Sequence, residues 1–280
     1  MLSDEGIRYC GPSYLRRRGR NLAAMFGLSW SEAPMPHRTA HEQLAFLSKG
    51  NERLVFSEEN FVEVLSDKEG RVSLPVYPSA IERVTELVAA WAPIKPQLFV
   101  AVRNPATFLA SAYSQVLFGS AFIAPNKFRA HNDWRKIDWA GYIAKLRTIS
   151  GVGDIYVWRQ EDYDLTHRLI LRRLLRWKVG GNIETIEGRV HQSLSAAAVR
   201  QTLAWAQDGG TVKLAAKSRK LFPINADNKP FGLYTTSTLA QADAVYDAQM
   251  AQIEALDGVT VLKPPKRTLK GLKSPAKTVN

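Results

Sequence analysis

Apolar and polar positions along the chain follow two different periods. Short runs rich in β-branched and aromatic residues stand at 53–57, 97–102 and 154–159, with a weaker one at 259–262. Three of them are continuously apolar and bounded by breakers. Leu98-Phe99-Val100-Ala101-Val102 follows Lys95-Pro96, and Ile155-Tyr156-Val157-Trp158 follows Gly151-Val152-Gly153. Such runs predict strands buried on both faces, as in a parallel sheet. Helical spacing falls between them. Ser79 and Glu82 have the spacing of a capping box, and Ile81, Val84, Leu87 and Val88 continue as a stripe to Trp91. Pro105 suits a first helical turn, with Leu109, Ala112, Tyr113 and Val116 following on one face. Further helices are predicted over 139–149, 166–175, 195–206 and 239–256. Strands alternating with helices predict one α/β domain, a parallel sheet flanked by helices, over 1–262. Residues 208–235, with their glycines, prolines, lysines and asparagines, read as a surface excursion.

Composition changes this picture at one end. The chain has 280 residues and a formal charge of +12. Six of those charges lie in residues 263–280, which carry no acid, include three prolines and show no apolar period. That segment is expected to be a basic, disordered tail. The +6 left on the body suits anionic ligands, whether nucleotide, acidic glycan or nucleic acid. No apolar run reaches the roughly 18 to 20 residues of a membrane span, and the first residues do not read as a secretion signal. Cys10 is the only cysteine, so the expectation is a cytoplasmic protein without an internal disulfide.

The stretch Leu98–Tyr113 carries the most chemistry. Arg103 follows a predicted buried strand, at the edge where open α/β sheets bind ligands. Asn104 can cap the next helix and Pro105 can start it, leaving first-turn amides as a seat for an anion. Thr107, Ser111 and Ser114 line one ridge opposite the apolar stripe. An arginine fork with a hydroxyl from that ridge can grip a phosphate. The plainer alternative makes Arg103 a strand-end ion pair and Ser111 a small packing residue.

Arg103, Pro105, Ser111 and Tyr113 together resemble the 3′-phosphate-binding motif of the sulfotransferase family. In that motif an Arg ends a strand, Pro follows two residues later, and Ser and Tyr stand eight and ten residues after the Arg. Three further segments are similar to members of the bacterial, carbohydrate-type group: 54–61 (Leu-Val-Phe-Ser-Glu-Glu-Asn-Phe), 155–163 with its Glu161-Asp162 pair, and 188–195 (Gly-Arg-Val-His-Gln-Ser-Leu-Ser). The likeness runs over about residues 5–207 and fades beyond. It implies sulfuryl transfer from 3′-phosphoadenosine 5′-phosphosulfate to a carbohydrate or similar hydroxyl acceptor, with no metal. Arg103 and Ser111 would hold the 3′-phosphate and Arg189 a further phosphate. Glu59 would be the base, although a turn or cap glutamate is the plainer reading.

The family's phosphate-cradling loop, Lys-x-Gly-Thr-Thr or similar, occurs nowhere in these 280 residues. The resemblance therefore implies a P-loop-type sulfotransferase architecture lacking its first strand and loop, with the chain starting about 20 to 25 residues late. Loss of that strand would expose unpaired sheet edges. Loss of its lysine would remove a contact worth about 3 to 4 kcal/mol at the leaving group. The alternative function is a non-catalytic relative that binds the nucleotide 3′-phosphate or an anionic partner. Nucleic acid ranks last, since no nucleic-acid-binding module is present.

Other signals are weaker. His37 and His41 have no partners for a metal set, and Pro34 and Pro36 argue against a helix there. Gly151-x-Gly153 precedes a strand and reads as a turn. The arginine runs at 16–20 and 168–176 read as solvated faces that could also steer an anionic ligand. Trp134, Trp139, Trp158 and Trp177 suit core or sugar-stacking roles alike.

Overall fold

Two small parallel sheets form where one was expected. The computed structural model describes residues 2–60, 63–119, 121–184 and 193–265. One sheet pairs β1 (Ile7–Cys10) with β2 (Arg53–Phe56). The other has the order β3 (Leu98–Val102), β4 (Ile155–Arg159), β5 (Val259–Val261), every pair parallel. The helices in chain order are α1 (Pro12–Leu15), α2 (Leu22–Phe26), α3 (Ala40–Ser48), α4 (Ala80–Trp91), α5 (Pro105–Phe118) and α6 (Pro125–His131). They continue with α7 (Trp139–Arg147), α8 (Tyr163–Leu175), α9 (Trp177–Asn182), α10 (Ala196–Gln207), α11 (Leu214–Leu221) and α12 (Thr236–Glu254). The class is α/β, with helices flanking both sheets.

Two helices tie the sheets together. Leu171, Leu174 and Leu175 of α8 pack with Ile7 of β1 and Val55 of β2, while Leu169 and Ile170 of the same helix pack with Tyr156 of β4. Arg53 strengthens this join, its Nη1 donating to the carbonyls of Arg173 and Leu174 at 3.1 and 3.0 Å. Those carbonyls belong to the last turn of α8, which has no intrahelical donors left for them. Helix α4 does the same with other clusters. Its Leu87 and Trp91 pack with Cys10, Phe26 and Phe56, and its Val84 and Val88 join the large core built on α5, α7, α10 and α12.

Continuous apolarity was a sound guide to β4 and a misleading one for β3. Ile155, Tyr156 and Val157 are buried in the middle of their sheet. By contrast β3 is an edge strand: only Val102 is buried, Leu98, Phe99 and Val100 are half-buried, and Ala101 is exposed. Among the described residues no strand pairs with its outer side, so the apolar run lacks the neighbour that would cover it.

The capping box also falls elsewhere. Ser79 takes a helical conformation and makes no side-chain cap; its amide donates instead to Glu63 Oε2 at 3.0 Å. The reciprocal pair is Thr39 and Glu42, which starts α3 directly after the prolines at 34 and 36. Proline before a cap is harmless, because the helix has not begun. His41 thus lies on α3, its Nε2 2.6 Å from the Ala92 carbonyl oxygen, and His37 lies outside the helix. Residues 208–235 are more than an excursion. Helix α11 buries Leu214, Ala215 and Ser218, and the Ser218 hydroxyl meets Thr202 of α10 at 2.6 Å. Residues 266–280, most of the expected basic tail, lie outside the described residues.

Candidate functional site

Arg103 leaves β3 at its carboxyl end, as the sequence predicts, and the next residues build a well-satisfied helix start. Asn104 caps α5, its side-chain oxygen accepting from the amides of Ala106 at 2.9 Å and Thr107 at 3.1 Å. Pro105 occupies the first turn, where its missing N–H costs nothing. The Arg103 side chain turns back along the helix, Nε donating to Thr107 Oγ1 at 3.1 Å. Its carbonyl oxygen accepts from Trp139 Nε1 at 2.7 Å, which pins the backbone beneath the guanidinium. Ser111 stands one turn beyond Thr107 and is half-buried. Arg103, Thr107 and Ser111 therefore run along one line of the helix surface. Ser114, expected on that ridge, is buried instead. Tyr113 is fully buried, and its hydroxyl donates to the Ile123 carbonyl at 2.8 Å. Its place in the motif is that of a packing pillar.

The amide seat at the start of α5 is already filled. Glu161, in the short turn after β4, accepts the Asn104 amide through Oε1 at 2.9 Å and lies 3.3 Å from Thr107 Oγ1. The same oxygen is 4.0 Å from Arg103 Nε. Asn104 Oδ1 takes the next two amides and the Asn104 carbonyl takes that of Phe108. The expected open anion seat is thus closed by the protein's own carboxylate. A ligand phosphate would have to be held by the side chains of Arg103 and Ser111, beside a negative charge, because the single Thr107 hydroxyl proton already points to the Asn104 carbonyl and Glu161.

Helix α12 supplies groups that the sequence did not single out. Tyr246 is buried, its hydroxyl within reach of the Val102 carbonyl at 3.0 Å and Glu161 Oε2 at 3.2 Å. Burial, and then the Glu161 carboxylate, push this phenol up, so it stays a proton donor. Asp243 accepts from Asn104 Nδ2 at 2.6 Å. Asp247 pairs with Arg159 at 2.6 Å, and the Arg159 guanidinium lies 4.5 Å over the Tyr246 ring. Asp243, Tyr246 and Asp247 have i, i+3, i+4 spacing, the one sequence signal that puts them on a common helix face.

Glu59 lies in the turn after β2, 74 % exposed and 3.7 Å from Arg16 Nη2. The tighter partner of Arg16 is Glu58 at 2.6 Å, whose carboxyl is held below its ordinary value chiefly by that bond. Tyr77 is pushed up by burial first, then by Glu59 and Glu63. A row of rings leads from there: Tyr77 to Tyr142 at 6.0 Å, Tyr142 to Trp139 at 6.3 Å, and so to the Arg103 carbonyl. Arg103 stands at one end of this row of rings. Arg189 lies outside the described residues.

The other arginines serve structure as much as solvent. Arg168 Nη1 donates to the carbonyls of Gly181 and Ile183, both at 2.8 Å, and Arg172 stacks on Trp177, which fastens α9 to α8. Trp134 and Trp139 are core, whereas Trp177 is exposed. Among the described residues no group of His, Cys, Asp and Glu is arranged to hold a metal, and no helix is long and apolar enough to cross a membrane. Comparison with models of known protein families, with curated proteins and with solved structures gave no match.

Proposed function

We propose that the protein is a sulfotransferase-like nucleotide binder. Arg103 and Ser111 hold the 3′-phosphate of 3′-phosphoadenosine 5′-phosphosulfate, and a carbohydrate or similar hydroxyl accepts the sulfuryl group. The observation that carries this reading is the Arg103–Thr107–Ser111 line at the carboxyl end of a parallel strand. A guanidinium oriented by Thr107 has the planar fork that forms paired bonds to phosphate oxygens. In the transfer itself the acceptor oxygen attacks sulfur, the bond from sulfur to the nucleotide's phosphate oxygen breaks, and a carboxylate takes the acceptor proton. Glu59 is the candidate for that proton.

Glu59 also favours a second reading, in which the nucleotide is bound without transfer. It is exposed and ion-paired to Arg16, so it is not held against an acceptor hydroxyl. Calorimetry with adenosine 3′,5′-bisphosphate and with adenosine 5′-phosphate tests the shared site. A preference for the 3′-phosphate that disappears in Arg103→Ala supports it, and equal affinities reject it. Incubation with labelled 3′-phosphoadenosine 5′-phosphosulfate and mixed oligosaccharides then separates the two readings: label on sugar supports transfer, and bound nucleotide with unlabelled sugar supports binding alone.

A further inference from the structure

A second basic region belongs to the other sheet. Where β1 runs into Gly11 and α1, a crevice of about 860 Å³ opens, within the size range of small-molecule sites. Its wall carries Arg8, Arg17, Arg20, Arg38 and Lys49, and no carboxylate. Three nearby acids have partners of their own, although the Glu42 carboxylate also acts on Arg38. Glu42 closes the cap of α3, Glu58 is bound to Arg16, and Glu52 pairs with Arg176. The cations of the crevice are therefore not neutralised from within its wall.

Three details go beyond charge. Arg20 lies 4.7 Å over the Tyr14 ring and Arg38 4.1 Å over Phe46, so both guanidinium planes are held before a ligand arrives. Arg8 adds a third placed cation, its Nε buried without a hydrogen-bond partner and its side chain engaging the buried Cys10 thiol. The Tyr9 ring lies across Gly11, where even a Cβ would come within 2.6 Å of it. Gly11 thus lets an exposed ring lie down at the mouth of the crevice.

We propose that this crevice binds a compact polyanion: a sugar or polyol carrying several sulfate or phosphate groups. Single-stranded nucleic acid fits less well. It needs open aromatic faces on which successive bases can stack, and here the Tyr14 and Phe46 rings already carry guanidinium groups. Several fixed cations around one cavity match several anions on one small scaffold. The inference stands apart from the nucleotide site at Arg103.

Calorimetry on the full chain tests it with sucrose octasulfate, inositol hexakisphosphate, sucrose and a twenty-nucleotide DNA strand as probes. The expected result is saturable binding of at least one of the two polyanions, none of sucrose, and weaker binding of DNA. The relative affinities of the two polyanions tell a sulfated sugar from a phosphorylated polyol. The double variant Arg20→Gln/Arg38→Gln should lose about tenfold in affinity for each guanidinium removed. Lys127→Gln/Lys220→Gln, which removes the same charge from exposed positions elsewhere, and Arg103→Gln should bind as the unaltered chain does. Circular dichroism of each variant checks that the fold is kept. An equal loss in the lysine variant, tighter binding of DNA than of either polyanion, or no binding of either polyanion would overturn the proposal. Loss of adenosine 3′,5′-bisphosphate binding with the crevice intact would bear on Arg103 alone.

Discussion

Glu161 Oε1 sits 2.9 Å from the Asn104 amide and 4.0 Å from Arg103 Nε, so one carboxylate both closes the start of α5 and faces the arginine proposed to hold a phosphate. A phosphate arriving at Arg103 meets this charge. Glu161→Gln keeps an acceptor oxygen for the amide and removes the repulsion. The expected outcome is a gain of about threefold to tenfold in affinity for adenosine 3′,5′-bisphosphate, together with a loss of about 1 kcal/mol in stability as a charge-assisted bond becomes a neutral one. Calorimetry and urea denaturation read the two effects separately. Weaker nucleotide binding in this variant would place the phosphate away from Glu161.

Arg103→Ala should cut nucleotide affinity about 100-fold while shifting the melting temperature little. Its side chain is one-third exposed, and the Trp139 bond goes to the backbone carbonyl, which the substitution leaves in place. Thermal melting beside calorimetry checks both halves. A large drop in melting temperature would return Arg103 to the role of a structural ion pair.

Asn104→Ala removes three bonds at once: two from the cap to the amides of Ala106 and Thr107, and one to Asp243. Asn104 is buried, so water replaces these bonds poorly. A loss of about 2 kcal/mol is expected by urea denaturation. Asn104→Asp, which keeps the cap acceptor but sets a carboxylate against Asp243, should recover only part of it.

Alkaline solution should destabilise the protein. Burial raises the phenols of Tyr113, Tyr142 and Tyr246, and Tyr234 is pushed up to about 12. An unfolded tyrosine ionises near the ordinary value of 10.0. Below that pH both states hold the proton and the contribution is intact. Above it the unfolded chain loses protons that the native chain keeps, so stability falls with rising pH. Each fully buried tyrosine contributes a slope of up to about 1.4 kcal/mol per pH unit in that window. Tyr246→Phe should flatten the decline measured between pH 10 and 11. It should also cost about 1 kcal/mol at neutral pH, through the lost bond to the Val102 carbonyl.

The sequence announced its longer, periodic elements and concealed those that tertiary contacts create. The stripe at Leu109, Ala112, Tyr113 and Val116 does form the buried face of α5, and 155–157 does form the covered part of β4. Strand β1 is only four residues long and contains an arginine, so neither of the two periods marks it. Helix α11 rests on Leu214, Ala215 and Ser218 being covered by α10, a fact that composition hides. At the candidate site, Arg103, Asn104 and Pro105 were legible because their roles are local to a strand end and a helix start. The roles of Glu161, marked only within a resembling segment, and of Tyr246 were not, since they reach α5 from positions 57 and 142 residues beyond Asn104. Their part depends on how β4 and α12 pack.

The outer side of β3 has a practical meaning for anyone handling the protein. Among the described residues no strand pairs with the outer side of Leu98–Val102, next to half-covered leucine, phenylalanine and valine side chains. Another extended chain can zip onto such a margin. Concentrated stocks should accordingly self-associate with a gain in β signal, and a lysine in place of Ala101, the exposed residue of the run, should keep them monodisperse.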